Sequence, residues 1–208
     1  MSLFSRCSET IKNDLRFSLY PHILAALGLL ALTPVIFGIS ALDAAAAAYP
    51  LELCLPFAGI ILLTPVFSPE SEPSVLDAVR ARKASYTLTC GVRLIAMEII
   101  TVLGIYAFAA LMRATESEVT AAHCFGSCAN AVFLGGLGAL AAALSGSAVI
   151  GYMVPVLYYV IDLMGGLGEF PLTLFSMMRA GGTGNKALLL AAGICVMLGA
   201  LGVRQIKK

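Results

Sequence analysis

The sequence predicts an all-α, polytopic membrane protein with six transmembrane helices, an amphipathic helix at its N-terminus and a short helix between spans 2 and 3. Three observations carry this. Of the 208 residues, 60% are hydrophobic and only 12% charged, with a mean hydropathy of +0.94. Soluble domains average about 45–50% apolar and about 25% charged residues, and a fold of this size in water needs a polar cover. Apolar runs near the length of a membrane-crossing helix recur along the chain, and the basic residues between them collect at alternate turns. The composition excludes a water-soluble fold, disorder and nucleic-acid binding. The net charge of +1 says little as a sum, so its distribution matters more.

A helix needs about 20 mostly apolar residues to cross the hydrocarbon core. Uncharged stretches run from Phe17 to Leu42, Leu53 to Pro69, Leu94 to Met112 (broken by Glu98), Val119 to Ile161 and Ala187 to Val203. The fourth would be roughly 64 Å long as one helix, twice the core thickness, and must fold back. Leu144-Ser145-Gly146-Ser147 is the turn-prone place for the reversal. One membrane domain over 1–208 results, with spans at about 21–42, 50–67, 88–112, 121–144, 147–164 and 187–204. The second span carries Glu52, Pro56 and Pro65, and prolines survive in membrane helices where neighbours satisfy the freed carbonyls.

Six spans put both termini on one side. That side holds Arg6, Lys12, Arg16, Arg80, Arg82, Lys83, Arg93, Arg204, Lys207 and Lys208, against Arg113, Arg179 and Lys186 on the other. Ten against three is a positive-inside bias that predicts cytoplasmic termini. No cleavable signal is expected, because the first residues are amphipathic and of mixed charge.

Between Leu3 and Tyr20, the residues Leu3, Phe4, Cys7, Ile11, Leu15 and Leu19 recur at helical spacing, with Arg6, Glu9, Lys12, Asp14 and Arg16 largely between them. The pattern predicts an interfacial helix over about 3–19, ending at Tyr20-Pro21. The loop from Ser68 to Tyr86 opens on Ser-Pro-Glu-Ser-Glu-Pro. Ser74 and Asp77 then have capping-box spacing, Val75, Leu76 and Val79 supply an apolar side, and Arg80, Arg82 and Lys83 load the C-terminal end. A short capped helix there suits docking of a soluble partner, while three basic groups beside the membrane also suit an anionic-lipid anchor.

The run Leu63-Thr64-Pro65-Val66-Phe67-Ser68-Pro69-Glu70, then Val75 to Lys83, then Val92-Arg93-Leu94-Ile95, resembles the permease subunits of ATP-binding-cassette transporters, nearest the small export-type permeases of bacteria. The resemblance covers nearly the whole chain through a loose motif and a common topology. It implies an elbow helix, six spans and a coupling helix over Ser74 to Lys83 seated in a cleft of a separate ATPase subunit. It further implies a second permease chain, identical or related, and export across a bacterial inner membrane. ATP and Mg would be held by the ATPase, with no cofactor on this chain. The half-apolar segment Gly165 to Asn185 would match re-entrant elements before the last span.

The chain has no ATPase motif of its own. Gly181-Gly182-Thr183-Gly184-Asn185-Lys186 imitates a P-loop, but Ala187 follows the lysine, and Gly136-Leu137-Gly138 lies inside a span. Gly135, Gly138, Ala142 and Gly146 instead suit close helix packing. Within the spans, Glu98 falls near the midplane and reads either as a pathway carboxylate or as a structural group, with Arg93 in reach only through long side chains. Asp162 would cap or anchor the outer end of span 5, and His22 lies at an interface. Cys124 and Cys128, beside His123, are one helical turn apart, which suits neither a metal pair nor an easy disulfide in a regular helix, while a loosened backbone there would allow a disulfide. Neither a nucleophile–base pair nor a catalytic acid pair appears, and no metal site is expected. The alternatives to an ATP-driven permease are a secondary transporter using Glu98 and a non-transporting membrane scaffold.

Overall fold

A computed structural model describes residues 19–70, 86–168, 170–180 and 182–206. The interfacial helix predicted over 3–19 (save Leu19) and the helix predicted over Ser74 to Lys83 lie outside them. The described residues form an all-α bundle: α1 (Tyr20–Phe37), α2 (Ala44–Leu53), α3 (Pro56–Leu63), a 3-10 segment (Thr64–Glu70), α4 (Tyr86–Ala114), α5 (Ala121–Ser145), α6 (Ala148–Leu163), the short α7 (Ser176–Ala180) and α8 (Lys186–Ile206).

The chain is a polytopic membrane protein, and among the described residues five helical stretches are long and apolar enough to cross a bilayer: Tyr20–Phe37, Ala44–Phe67, Cys90–Ala114, Ala121–Ser145 and Lys186–Ile206. The span expected at 147–164 is the sixteen-residue α6. At 1.5 Å per residue it reaches about 24 Å, short of a core about 30 Å thick. The second span begins earlier than expected because Asp43 caps α2, its Oδ1 accepting from Ala46 N at 2.7 Å. The first ends earlier, at Gly38, which takes φ +64° after Pro34. The reversal between α5 and α6 falls where the turn residues predict it, with Gly146 at φ +71° ending α5.

Burial identifies the centre of the bundle. The span windows in Ala44–Phe67 and in α5 are each 78% buried, against 11% for α1 and 28% for α8. Small residues let these central helices meet backbone to backbone. A Cβ on Gly59 would stand 2.2 Å from Ala131 O, and one on Gly138 would stand 2.2 Å from Thr64 Oγ1 and 3.1 Å from Gly151 O. Packing of this kind replaces the hydrophobic drive that lipid cannot supply between helices.

The reversals give the bundle two ends. Leu19, Phe67, Cys90, Ala143 and Ala200 share one core cluster, which brings the start of α1, the end of the second span, the start of α4 and the end of α8 together. We call this the terminal end. At the far end lie the 38–43 and 115–119 loops, stitched by Ala41 N to Thr115 O and Glu118 N to Leu42 O, both 2.9 Å. The connection between α6 and α8 lies there too.

Candidate functional site

At the far end, a network of buried charges surrounds the α6–α8 connection. Glu52, in the last turn of α2, and Lys186, the first residue of α8, pair at 2.6 Å with both side chains fully buried. Neither charge is left short of partners. Glu52 also accepts from Met177 N (3.1 Å) and Met178 N (2.8 Å). The Lys186 ammonium donates to Asn130 Oδ1 at 3.0 Å and to the Leu174 carbonyl, which Asn130 Nδ2 also reaches at 3.0 Å. Beside them, Asp162 accepts from Leu174 N at 2.5 Å and pairs with Arg179 at 3.3 Å. Two acids and two bases balance, and such mutual satisfaction is what makes ionic groups tolerable at this depth.

Just below this network the second span breaks at Cys54-Leu55, where Pro56 cannot donate a helical hydrogen bond. Leu55 N turns to Pro50 O and Phe57 N to Cys54 O, so the carbonyls of Leu51 and Leu53 lose their next-turn amides. Ser127 Oγ donates to Leu51 O at 2.7 Å and Tyr159 Oη to Leu53 O at 3.0 Å. The neighbouring helices thereby supply what the proline withdraws.

At the terminal end, two arginines grip the 3-10 segment that follows α3. Arg93 of α4 donates through Nη1 to Val66 O at 2.8 Å. Arg204 of α8 donates to Phe67 O at 3.4 Å, its guanidinium 5.3 Å from the centre of the Phe67 ring. The joint ties three elements together beside the point where the chain leaves toward residue 71.

The residues singled out from sequence are thus distributed unevenly. Ser74, Val75, Leu76, Asp77, Val79, Arg80, Arg82 and Lys83 lie outside the described residues. Arg93 is buried and turned to Val66. Glu98 lies twelve residues into α4, and its Oε1 and Oε2 are buried without a hydrogen-bond partner among the described residues. Asp162, expected to cap or anchor the outer end of its span, is fully buried and holds Leu174 N and Arg179 of the connection after α6. Lys186 differs from the expectation of a loop charge: it is buried, because Glu52 and Asn130 reach it. Gly135 and Gly138 face close neighbours, as their spacing predicts, whereas Gly146, expected to pack in the same way, has nothing within 4 Å of its Cβ position and instead ends α5. Cys54, Cys124, Cys128 and Cys195 are free thiols. No three His, Cys, Asp or Glu among the described residues converge to hold a metal.

Sequence reasoning missed the Glu52–Lys186 pair, whose members are separated by 134 positions. The available signal was a carboxylate within an apolar run and a lysine at the lip of another. Compared with family models, with curated proteins and with solved structures, the chain shows no match.

Proposed function

We propose that this chain is the membrane-spanning permease subunit of an ATP-driven exporter, with both termini cytoplasmic and six crossings of a bacterial inner membrane. In this reading a separate ATP-binding-cassette ATPase, holding ATP and Mg, docks on the loop containing Ser74 to Lys83. The chain itself carries out no nucleotide chemistry. A second permease chain completes the pathway, since six crossings make half of it. ATP binding draws two ATPase subunits together, and the docked loops pass the displacement to the permease halves.

The observation that carries this reading is the arginine joint. Residues 71–85 run between the 3-10 segment and α4, and Arg93 binds these two elements to each other at their shared end. Arg204 adds α8. A push on the loop would therefore reach three helices at once rather than being absorbed in one flexible arm. Export, rather than import, follows from the sequence resemblance.

The test is reversal of Arg80, Arg82 and Lys83 to Glu, followed by co-purification with a co-expressed ATP-binding-cassette ATPase. Weaker recovery of the complex is expected, with the spans still inserted. Undiminished recovery removes this loop as the coupling element. Tagged termini must be located in the same membranes, because the triple reversal also alters the positive-inside balance.

A second reading, a secondary transporter, is favoured by one observation: the buried Glu98 carboxylate, unpartnered among the described residues, stands where proton- or ion-coupled transporters place such a group. It requires no ATPase.

A further inference from the structure

Residues 164–185 are attached to the bundle in an unusual way. Among the described residues of this range, the regular structure is the five-residue α7. The backbone–backbone hydrogen bonds of the described residues here stay within the connection or reach the adjoining ends of α6 and α8, as in Gly166 N to Ile161 O and Lys186 N to Thr183 O. The bundle holds the connection through side chains: Glu52 on the amides of Met177 and Met178, Asp162 on Leu174 N, Asn130 and Lys186 on Leu174 O, and Tyr158 on Leu172 O at 2.8 Å. Leu174 and Phe175 add a buried apolar anchor, with Phe175 packed 5.1 Å edge-on to Tyr159.

The charges are partitioned in a way that matters. Glu52 belongs to α2, Asn130 to α5 and Lys186 to α8. If the connection lifts away, Glu52 and Lys186 still have each other, and Asn130 still has Lys186. Only the Asp162–Arg179 pair spans the divide, its Arg179 side chain 36% exposed and its Asp162 side chain fully buried. Lifting therefore leaves the buried Glu52–Lys186 pair intact, and its cost falls on Asp162, which gives up both Leu174 N and Arg179. Both margins have conformational freedom. Gly165 and Gly168 take φ +80° and +54°, and neither they nor Gly182 and Gly184 have a neighbour within 4 Å of a Cβ position.

We propose that residues 170–180 form a movable cap over the far end of the bundle, seated on the Glu52–Lys186 pair and opening as one body about the glycine-bearing margins at 164–168 and 182–185. Opening uncovers the pair and the break in the second span from that end. The inference is independent of the permease reading, since any bundle with this connection would behave so.

The test measures thiol accessibility in lipid nanodiscs, in a chain whose native cysteines are replaced by serine or alanine. A reporter Leu174→Cys is labelled with a membrane-impermeant maleimide, and a second reporter, Ala129→Cys in the core of α5, is labelled in a parallel protein. Leu174→Cys is expected to label slowly, and about tenfold faster when Asp162→Asn weakens the seat, as befits one hydrogen bond to a charged group. Phe175→Ala is expected to act in the same direction, while Ala129→Cys stays protected throughout. Parallel acceleration of both reporters, or no acceleration of Leu174→Cys, overturns the proposal. Hydrogen exchange of the unmodified protein gives a check free of substitutions. The amides of Leu174, Met177 and Met178 should exchange together and faster than those of α5. Exchange no faster than α5 would show a fixed plug and overturn the cap.

Discussion

Placing a methyl group on Gly59 tests the most exacting contact in the bundle. A Cβ there would lie 2.2 Å from Ala131 O, 2.8 Å from its carbonyl carbon and 2.9 Å from its Cα. All three atoms are backbone, so no side chain can swing away. Restoring ordinary contact requires α3 and α5 to part by about 1 Å, and a gap of about that size forfeits a quarter to a half of each dispersion contact along the seam. Overpacking of this kind costs about 1–3 kcal/mol, and the upper part of that range is expected because the clash is rigid. Gly28→Ala in α1 is the matched control, with nothing within 4 Å of its Cβ position. There the substitution should stabilise by up to about 1 kcal/mol through helix propensity alone. The assay is the folded fraction remaining in detergent after graded heating, read by size-exclusion chromatography. Gly59→Ala should lose its monodisperse peak at a clearly lower temperature than the parent, and Gly28→Ala should not. Equal behaviour of the two variants would refute the backbone-to-backbone packing of α3 on α5.

Two further outcomes follow from particular polar atoms. Tyr159→Phe and Ser127→Ala each leave a carbonyl at the break without its donor, and each should destabilise by about 0.6 kcal/mol, rising toward about 1.7 where no water enters; the same heating assay checks it, and a neutral pair of variants would mean that the freed carbonyls find other donors. Glu98→Gln keeps the shape of the side chain but cannot exchange a proton. In the ATP-driven reading, reconstituted vesicles containing the ATPase should retain most of their ATP-dependent transport. Proton-driven transport by the purified chain alone, abolished in Glu98→Gln, would favour the secondary transporter instead.

How much of this was legible in sequence depended on the range of the interactions. The apolar runs and turn residues located the helices, because crossing length and turn chemistry are local properties. The end of α5 at Ser145-Gly146 and the close-packing role of Gly135 and Gly138 belong to that class. Boundaries shifted where a single side chain set them, as Asp43 does for α2. The far-end network was not legible, because its members come from α2, α5, α6 and α8 and from the connection between the last two. Lys186 reads as a loop charge by its neighbours in sequence and becomes a buried one only when Glu52, 134 positions away, is brought to it. Arg93 likewise reads as a candidate partner for Glu98 along one helix. The carbonyl of Val66 takes it instead, since a proline-bearing 3-10 segment has acceptors to spare.

Satisfaction of the ionisable groups along the bundle separates what the fold explains from what function must explain. Glu52, Lys186 and Asp162 each contact several backbone or side-chain partners, and Arg93 is held on a carbonyl. For these, the cost of burying charge is offset by bonds that position a connection or tie helix ends together, and no further role is needed to account for them. Glu98 is different. Its two oxygens are buried without hydrogen bonds among the described residues, midway along α4, where a leucine would pack with less cost. Thr101 lies one turn on, but its hydroxyl donates to Met97 O and gives the carboxylate nothing. If Glu98 were merely structural, Glu98→Leu should stabilise the protein by about 1–3 kcal/mol, the usual return for removing a buried unsatisfied polar group, and transport should survive. Stabilisation accompanied by loss of transport would instead mark Glu98 as a group whose energetic cost serves function, whether it meets cargo in an ATP-driven cycle or carries the proton itself.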